Sequence, residues 1–355
     1  VSAWPLLPDR SSSWAVLIAV GAYAELSAMP EAVRSAELLA DHLGGPDGVF
    51  DPDQVIRVLD PQSAREATDR IAWAAGQATS TLFVYYAGHG VTGGGAERLH
   101  LALPGTVDKP GVLRRTALSA DAVFAAMGTR ATHRVAVLDC CFAGLALDEP
   151  SAADLHLLTA VDRSRKALFN QELGLTRFAE ELLRLFEEGV PEAAEHLTLD
   201  LIYRQLAINL NQLPAKRSRT YVAPIPMQRT VDASGSLALA RNRAYGTART
   251  EPGLRARAAF AYRQFAVRHR RQPWHQPQAT RLLHGIAADA ADSLGRTHPL
   301  TFQLRNAHAQ AVGATEGHPA ALALLEPLAT EATAVLPADS PVLAVILATL
   351  VEHRP

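Results

Sequence analysis

Between residues 14 and 245, short apolar runs alternate with amphipathic stretches of ten or more residues. The run Trp14-Ala-Val-Leu-Ile-Ala-Val is apolar throughout, the pattern of a strand covered on both faces. Residues 32–43 then place Val33, Ala36, Leu39, Ala40 and Leu43 at helical spacing and stop at Gly44-Gly45-Pro46. The same alternation predicts strands at 54–59, 81–87, 99–104, 134–138 and 155–161. It predicts helices at 63–79, 119–127, 177–188 and 199–213. Such an order describes an α/β domain, a mostly parallel sheet flanked by helices, over residues 14–245. Residues 1–13 read as an N-terminal extension.

After residue 246 the strand signal ends, and alanine, leucine and arginine at helical spacing take over. An internal repeat runs through this tail. Leu282, Leu283, Ala287, Ala290, Leu294 and Pro299 recur 42 residues later as Leu324, Leu325, Ala329, Ala332, Leu336 and Pro341. Helix pairs repeated at this period predict a stacked α-helical domain over 246–355. The wording from His298-Pro-Leu-Thr through Arg305-Asn, Gly317 and Leu324-Leu325 resembles bacterial tetratricopeptide repeats; a plain helical bundle is the alternative.

Composition narrows the function classes. A chain of 355 residues with 48% hydrophobic and 20% charged residues is of globular type and long enough for two cores. A net charge of -2 gives no reason to expect nucleic acid or an anionic membrane as partner. Lysine occurs only at 109, 166 and 216, and the preference for arginine and alanine points to a GC-rich bacterial genome. The two cysteines are adjacent, at 140 and 141, and cannot staple distant segments, which favours a reducing compartment. The first residues lack the pattern of a signal peptide, and the apolar run 341–351 is about half of the roughly 20 residues that a membrane helix needs. The expected location is cytoplasmic.

Two of the predicted strands end at reactive side chains. Thr81-Leu-Phe-Val-Tyr-Tyr-Ala-Gly runs into His89-Gly90, and Arg134-Val-Ala-Val-Leu runs into Asp139-Cys140-Cys141-Phe142-Ala143-Gly144. Strand ends of a parallel sheet meet at one edge, where ligands bind. A cysteine nucleophile needs a base within reach and donors for the oxyanion that it creates. His89 supplies the base, while the backbone N–H groups of Gly90 and Cys141 are the candidate oxyanion donors. Taken singly, His89 is a candidate core histidine and the thiols are candidates for structural burial. The two boxes together favour acyl transfer.

The two boxes resemble those of caspase-like peptidases, in particular the bacterial and metacaspase-type branch. Tyr85-Tyr-Ala-Gly-His89-Gly90 is similar to the family's histidine box, and Asp139-Cys140-Cys141-Phe142-Ala143-Gly144 to its Asp-x-Cys-x-Ser-Gly box. The separation of His89 and Cys141 is near the roughly 50 residues typical of caspases. The resemblance extends to Leu237-Ala-Leu-Ala-Arg-Asn-Arg. It implies a caspase–haemoglobinase fold with a large-subunit region at about 14–150 and a small-subunit region at about 155–245. It also implies that Cys141, two residues after the aspartate, is the nucleophile. Ala143 replaces the usual serine.

The same resemblance implies a substrate-binding role for Asp139, at the base of a pocket for arginine or lysine. A second aspartate usually joins it; here Ser35 occupies that place, leaving the carboxylate clamp incomplete, with Asp162 as a candidate replacement. Calcium serves some metacaspases, but no acidic cluster argues for it, and no cofactor is expected. His42, His100 and His133 lack partners at metal-ligand spacing, so no metal site is expected. Gly93-Gly94-Gly95 reads as a mobile loop beside the site. The arginines at 255, 257, 263, 268, 270 and 271 read as a basic helical face.

The leading expectation is a cysteine endopeptidase acting on a protein or peptide substrate, with the helical tail binding a regulatory partner or small ligand. Joining a protease to a repeat array resembles bacterial conflict and antiphage effectors. The alternatives are a catalytically idle caspase-fold scaffold that binds partners through the tail, and a cysteine hydrolase acting on a non-peptide substrate.

Overall fold

The apolar run at residues 14–19 becomes the second strand in from one edge of a six-stranded sheet, with every residue from Ala15 to Ala19 sealed from solvent. The computed structural model describes residues 5–93, 98–162, 169–170, 174–191, 193–212, 225–265 and 275–354. Contacts divide the chain into two units, Val1–Gly189 with Ala194–Arg243, and Ala244–Pro355 with Val190–Ala193.

The first unit begins with β1 (Trp14–Ala19), α1 (Pro30–Leu43), β2 (Val55–Leu59), α2 (Ala64–Gln77) and β3 (Thr81–Ala87). It continues through β4 (Gly90–Gly93), β5 (Arg98–Leu101), α3 (Leu113–Thr116), β6 (Leu118–Ser119), α4 (Ala120–Ala126) and β7 (His133–Asp139). Then come β8 (His156–Thr159), β9 (Phe169–Asn170), β10 (Leu175–Thr176), α5 (Arg177–Glu188) and β11 (His196–Thr198). The unit closes with α6 (Leu199–Gln212), β12 (Met227–Arg229) and β13 (Ala238–Arg241). The main sheet has the order β12-β8-β7-β3-β1-β2, parallel except for β12. The chain steps outward from β1 to β2 and then back across β1 to β3. With right-handed crossovers this places α1 and α2 on opposite faces of the sheet. α1 packs with α5, and α2 with α4, giving the two covering layers.

Three details depart from the sequence reading. Residues 98–101 pair antiparallel with β4 and β6 in a separate small sheet and take no place in the main one. The segment before β1 is fastened to the fold: Leu6 exchanges backbone hydrogen bonds with Ser236 and Ala238, and the Asp9 side chain caps a turn at Arg10–Ser12. Arg257 does not belong to an exposed basic face. It is buried and paired at 2.7 Å with Asp289, while Arg255 binds Glu251 one turn away. Gly94, Gly95, the sequence Arg163-Ser-Arg165-Lys166, and Arg268, Arg270 and Arg271 lie outside the described residues.

A buried polar chain pins the antiparallel edge strand. Gln228 Nε2 donates to the Asp200 carboxylate at 3.1 Å and lies 3.0 Å from His156 Nε2. A carboxylate only accepts, so this orientation of the amide is fixed, and His156 Nε2 must be the unprotonated ring nitrogen. Nδ1–H then donates to Ser234 Oγ at 2.9 Å. Burial lowers the His156 pKa to about 4. Unfolded histidine binds its proton more tightly, so stability is undiminished above pH 6.5, falls as pH drops toward 4 and then levels off. The full loss is on the order of 3 kcal/mol. Urea midpoints measured between pH 7.5 and 4.5 should show a decline in the wild type beyond that of a His156→Gln variant.

The second unit is helical: α7 (Glu251–Phe265), α8 (His275–Leu294), α9 (Pro299–Glu316), α10 (His318–Val335) and α11 (Pro341–His353). Consecutive helices pack on one another, and α9 also contacts both α7 and α11, so the three form one layer. The internal repeat has matching structure. Leu283 and Leu325, and Ala290 and Ala332, are buried at equivalent positions of α8 and α10, and Pro299 and Pro341 open the helices that follow. Among the described residues, no helix is long and apolar enough to cross a membrane.

Candidate active site

Strand register brings the two reactive boxes together. β3 and β7 are adjacent and parallel, pairing Thr81 with His133 through to Ala87 with Asp139. Gly88 N–H extends the ladder to the Asp139 carbonyl at 3.4 Å. His89 and Cys141 each lie two residues past the last pair, so they leave neighbouring strands in step at the carboxyl edge. The backbones touch just beyond: a Cβ built on Gly90 would lie 2.0 Å from the Cys141 carbonyl oxygen and 3.1 Å from Cys140 Sγ. Glycine is required there because the second box occupies the space that any side chain would need.

Two tyrosine hydroxyls hold the His89 peptide. Tyr23 O–H donates to the Val20 carbonyl at 3.0 Å and accepts from His89 N–H at 3.0 Å. Tyr86 O–H lies 3.0 Å from the His89 carbonyl and 2.8 Å from that of Ala102. Gly88 lies between these hydroxyls at φ +152°, and a Cβ there would come within 2.7 Å of both oxygens. Burial pushes both phenol pKa values up, so the hydroxyls keep their protons. The Tyr23 ring also packs against the imidazole, 4.8 Å between centroids.

The imidazole orientation follows from one contact. His89 Nε2 lies 2.8 Å from the Ser27 carbonyl oxygen. A carbonyl only accepts, so Nε2 carries the proton in neutral His89 and Nδ1 holds the free lone pair. Cys141 is partly exposed, whereas Cys140 is fully buried. Burial, followed by the neighbouring Cys141 and Asp139, pushes the Cys140 pKa well above the usual thiol range. Phe142, next in the chain, adopts φ +59°, a left-handed conformation rare for such a side chain, and turns the backbone sharply into the buried turn at Ala143–Asp148.

Asp139, 1% exposed, ends β7 beneath this edge. Its Oδ2 accepts both available hydroxyls, from Tyr85 at 2.8 Å and from Thr176 at 2.5 Å, while Oδ1 is buried with no hydrogen-bond partner. Desolvation raises the pKa to about 6 against the lowering effect of the two hydroxyls. Ser35, on the buried face of α1, accepts the Thr176 N–H at 3.0 Å and thereby fastens the residue that caps α5 and covers Asp139. Asp162 is half-buried, three residues past Thr159, at the same edge of the sheet.

The sequence reading assigned no role to Tyr23, Ser27, Tyr85 or Thr176. Thr176 is legible only as a helix cap before Arg177, and the Ser27 contribution is a backbone carbonyl that no residue type reveals. Of the histidines weighed as ligands, His42 lies 3.4 Å from Glu187 and His100 turns Nδ1 toward the Arg98 carbonyl at 3.2 Å. Among the described residues, no group of three or more histidine, cysteine or acidic side chains is arranged to hold a metal ion.

No curated protein matches the chain. A family model of the caspase domain matches residues 12–230, which span the whole main sheet and both reactive boxes. With more than half of its length accounted for in this way, the chain belongs to the caspase-domain family.

Proposed function

We propose that this protein is a cysteine endopeptidase using Cys141 and His89. The observation that carries the reading is the Nε2–H contact of His89 with the Ser27 carbonyl, which leaves Nδ1 as the base at the strand end beside Cys141. His89 Nδ1 takes the thiol proton, and the thiolate adds to the scissile carbonyl. The backbone N–H groups of Gly90 and Cys141 hold the resulting oxyanion. His89 returns the proton to the leaving amine, and a water, deprotonated by His89, then hydrolyses the thioester and restores the thiol. Asp139 selects a basic side chain on the amino side of the scissile bond. Its unpartnered Oδ1 is a buried acceptor without a cation, and Ser35 supplies a hydroxyl where a second carboxylate would strengthen the preference. Asp162 lies at the same edge and adds negative charge to the approach.

A peptidyl-arginine chloromethylketone tests this directly. The full chain should gain one inhibitor mass on Cys141, and hydrolysis of a fluorogenic arginyl peptide should stop in parallel. A chain that neither reacts nor hydrolyses any basic peptide would instead be an idle scaffold, and hydrolysis of non-peptide esters alone would make it a different cysteine hydrolase.

Regulation on this reading falls to the helical unit. The stretch at residues 145–154 holds no arginine or lysine and begins in a buried turn, so an enzyme cutting after basic residues cannot separate its two regions there. The active enzyme should therefore run as a single uncut chain across this segment on denaturing gels. Basal activity should be low and rise when a partner or small ligand occupies the helical unit. Removing residues 246–355 should change the basal rate or abolish stimulation. An unchanged rate, with and without activating cell extract, would free the tail of this role. A protease with a ligand-controlled helical unit suits a cytoplasmic bacterial conflict or antiphage effector.

A further inference from the structure

His89 takes its orientation from one stretch of chain, residues 20–29, which joins β1 to α1 without any helix or strand of its own. Tyr23 Oη accepts the His89 N–H at 3.0 Å, and the Ser27 carbonyl lies 2.8 Å from His89 Nε2. Ala22, Ala24, Glu25, Ser27 and Ala28 are all exposed, so packing alone does not fix this stretch. Hydrogen bonds fix it instead. Met29 N–H donates to the Gly21 carbonyl at 2.8 Å and closes residues 21–29 into a compact loop. Ala24 N–H reaches the Pro104 carbonyl at 2.9 Å.

Asp60 grips the neck of that loop from the neighbouring strand. It follows β2 directly, and its N–H carries the β1–β2 ladder one step further, to the Ala19 carbonyl at 2.8 Å. Its Oδ1 accepts the Gly21 N–H at 2.8 Å and the Ala22 N–H at 3.1 Å. Bonds to an ionised acceptor are stronger than neutral ones. Asp60 itself stands at φ +48°, in the left-handed region. Glycine, asparagine and aspartate tolerate that conformation, and most other side chains resist it. Of these three, only aspartate adds a charged acceptor.

We propose that Asp60 is a positioning residue for His89: by fixing the neck of the 21–29 loop, it sets where Tyr23 and Ser27 hold the imidazole and keeps Nδ1 directed at Cys141. The relay is short. The carboxylate holds the Gly21 and Ala22 peptides, the next residue holds the His89 peptide, and Ser27 on the returning limb holds Nε2. Asp60 acts on the base and not on substrate binding, so its loss should appear in kcat and leave KM nearly unchanged. Misplacing a base by about 1 Å costs as much as a hundredfold in rate. The proposal rests on the Cys141–His89 reading given above.

Asp60→Gly and Asp60→Asn in the full chain form the test pair, because both residues accept φ +48° and only asparagine keeps an acceptor oxygen. On the fluorogenic arginyl peptide, Asp60→Gly should lose at least about tenfold in kcat with KM within about twofold. Asp60→Asn should return to within about threefold of the wild type. Asp60→Ala also lacks the acceptor and takes the place of the glycine variant if that one does not fold. Combining Asp60→Gly with Tyr23→Phe should cost less than the product of the two single losses, because both act on His89 through one loop. Alkylation of Cys141 by iodoacetamide gives a second readout that requires no peptide hydrolysis. An imidazole beside the thiol raises its thiolate fraction, so the pH of half-maximal alkylation should rise by about one unit in His89→Ala and in Asp60→Gly, but not in Asp60→Asn. Asp139 titrates near pH 6 in all of these proteins alike, so it drops out of the comparison. An unchanged profile in His89→Ala would overturn the dyad reading and this proposal with it. A shifted profile in His89→Ala beside an unchanged one in Asp60→Gly, or an Asp60→Asn no better than Asp60→Gly, would overturn the role of Asp60 alone.

Discussion

Substituting Cys141 or His89 by alanine should each reduce hydrolysis of a basic peptide to background, and the double variant should be no worse than either single one. Groups that act as one unit give such non-additive losses. Cys140→Ser is the informative contrast. Cys140 is sealed beneath Gly90, its pKa is pushed up by burial, and its thiol has no route to a substrate carbonyl. The serine variant should keep most of the activity, at some cost in stability from burying a hydroxyl. Thermal melts of all four proteins, beside kcat and KM, separate a lost nucleophile from a lost fold. An inactive Cys140→Ser beside an active Cys141→Ala would reverse the assignment of the nucleophile.

Asp139→Asn should make the protein more stable and less selective at once. With its pKa raised to about 6, Asp139 binds its proton more tightly in the native state than in the unfolded chain. Its contribution to stability is present below about pH 3.8 and is lost as pH rises through 6. At pH 7 the ionised, half-satisfied carboxylate costs on the order of 3 kcal/mol. Asparagine removes the charge while still accepting from Tyr85 and Thr176, so the urea midpoint at pH 7 should rise. The rise should be smaller than the full cost, because an amide N–H would stand unpaired where Oδ1 was. On the reading proposed above, cleavage after arginine should collapse in the same variant. In the wild type, KM for arginyl peptides should fall as pH rises through about 6, because only the ionised form attracts the cation. Unchanged stability together with retained arginine preference would show that this carboxyl neither bears the strain nor reads the substrate.

On the reading proposed above, a buried group kept at such a cost trades stability for function. The geometry supports that view: two hydroxyls converge on one oxygen and the other is left empty. Ser35 belongs to the same device through the Thr176 backbone. The helix that the resemblance would have furnished with a second carboxylate furnishes instead a clamp on the residue covering the first.

Local pattern alone determined much of this protein. The runs at 14–20, 81–87 and 134–138 read as buried parallel strands, because a strand covered on both faces is apolar throughout and these runs are too short for helices. The reactive residues follow such strands directly, so their meeting at one sheet edge was legible before any register was known. The period of 42 likewise fixed equivalent helices, since Leu283, Ala287 and Ala290 recur as Leu325, Ala329 and Ala332, and both sets are buried. Tertiary structure alone decided the rest. Residues 98–101 have the composition of a sheet strand, but they pair with β4, the strand just before them, and with β6, and the main sheet gains no strand from them. Arg257 looked like one of a row of surface charges until Asp289, 32 residues away, drew it inward. The Ser27 carbonyl, the Tyr23 hydroxyl and the Thr176 bond to Asp139 are contacts between distant segments, made by backbone atoms or common side chains. Sequence marks a residue by its type, whereas the tautomer of His89 and the empty oxygen of Asp139 depend on which neighbours folding brings within 3 Å.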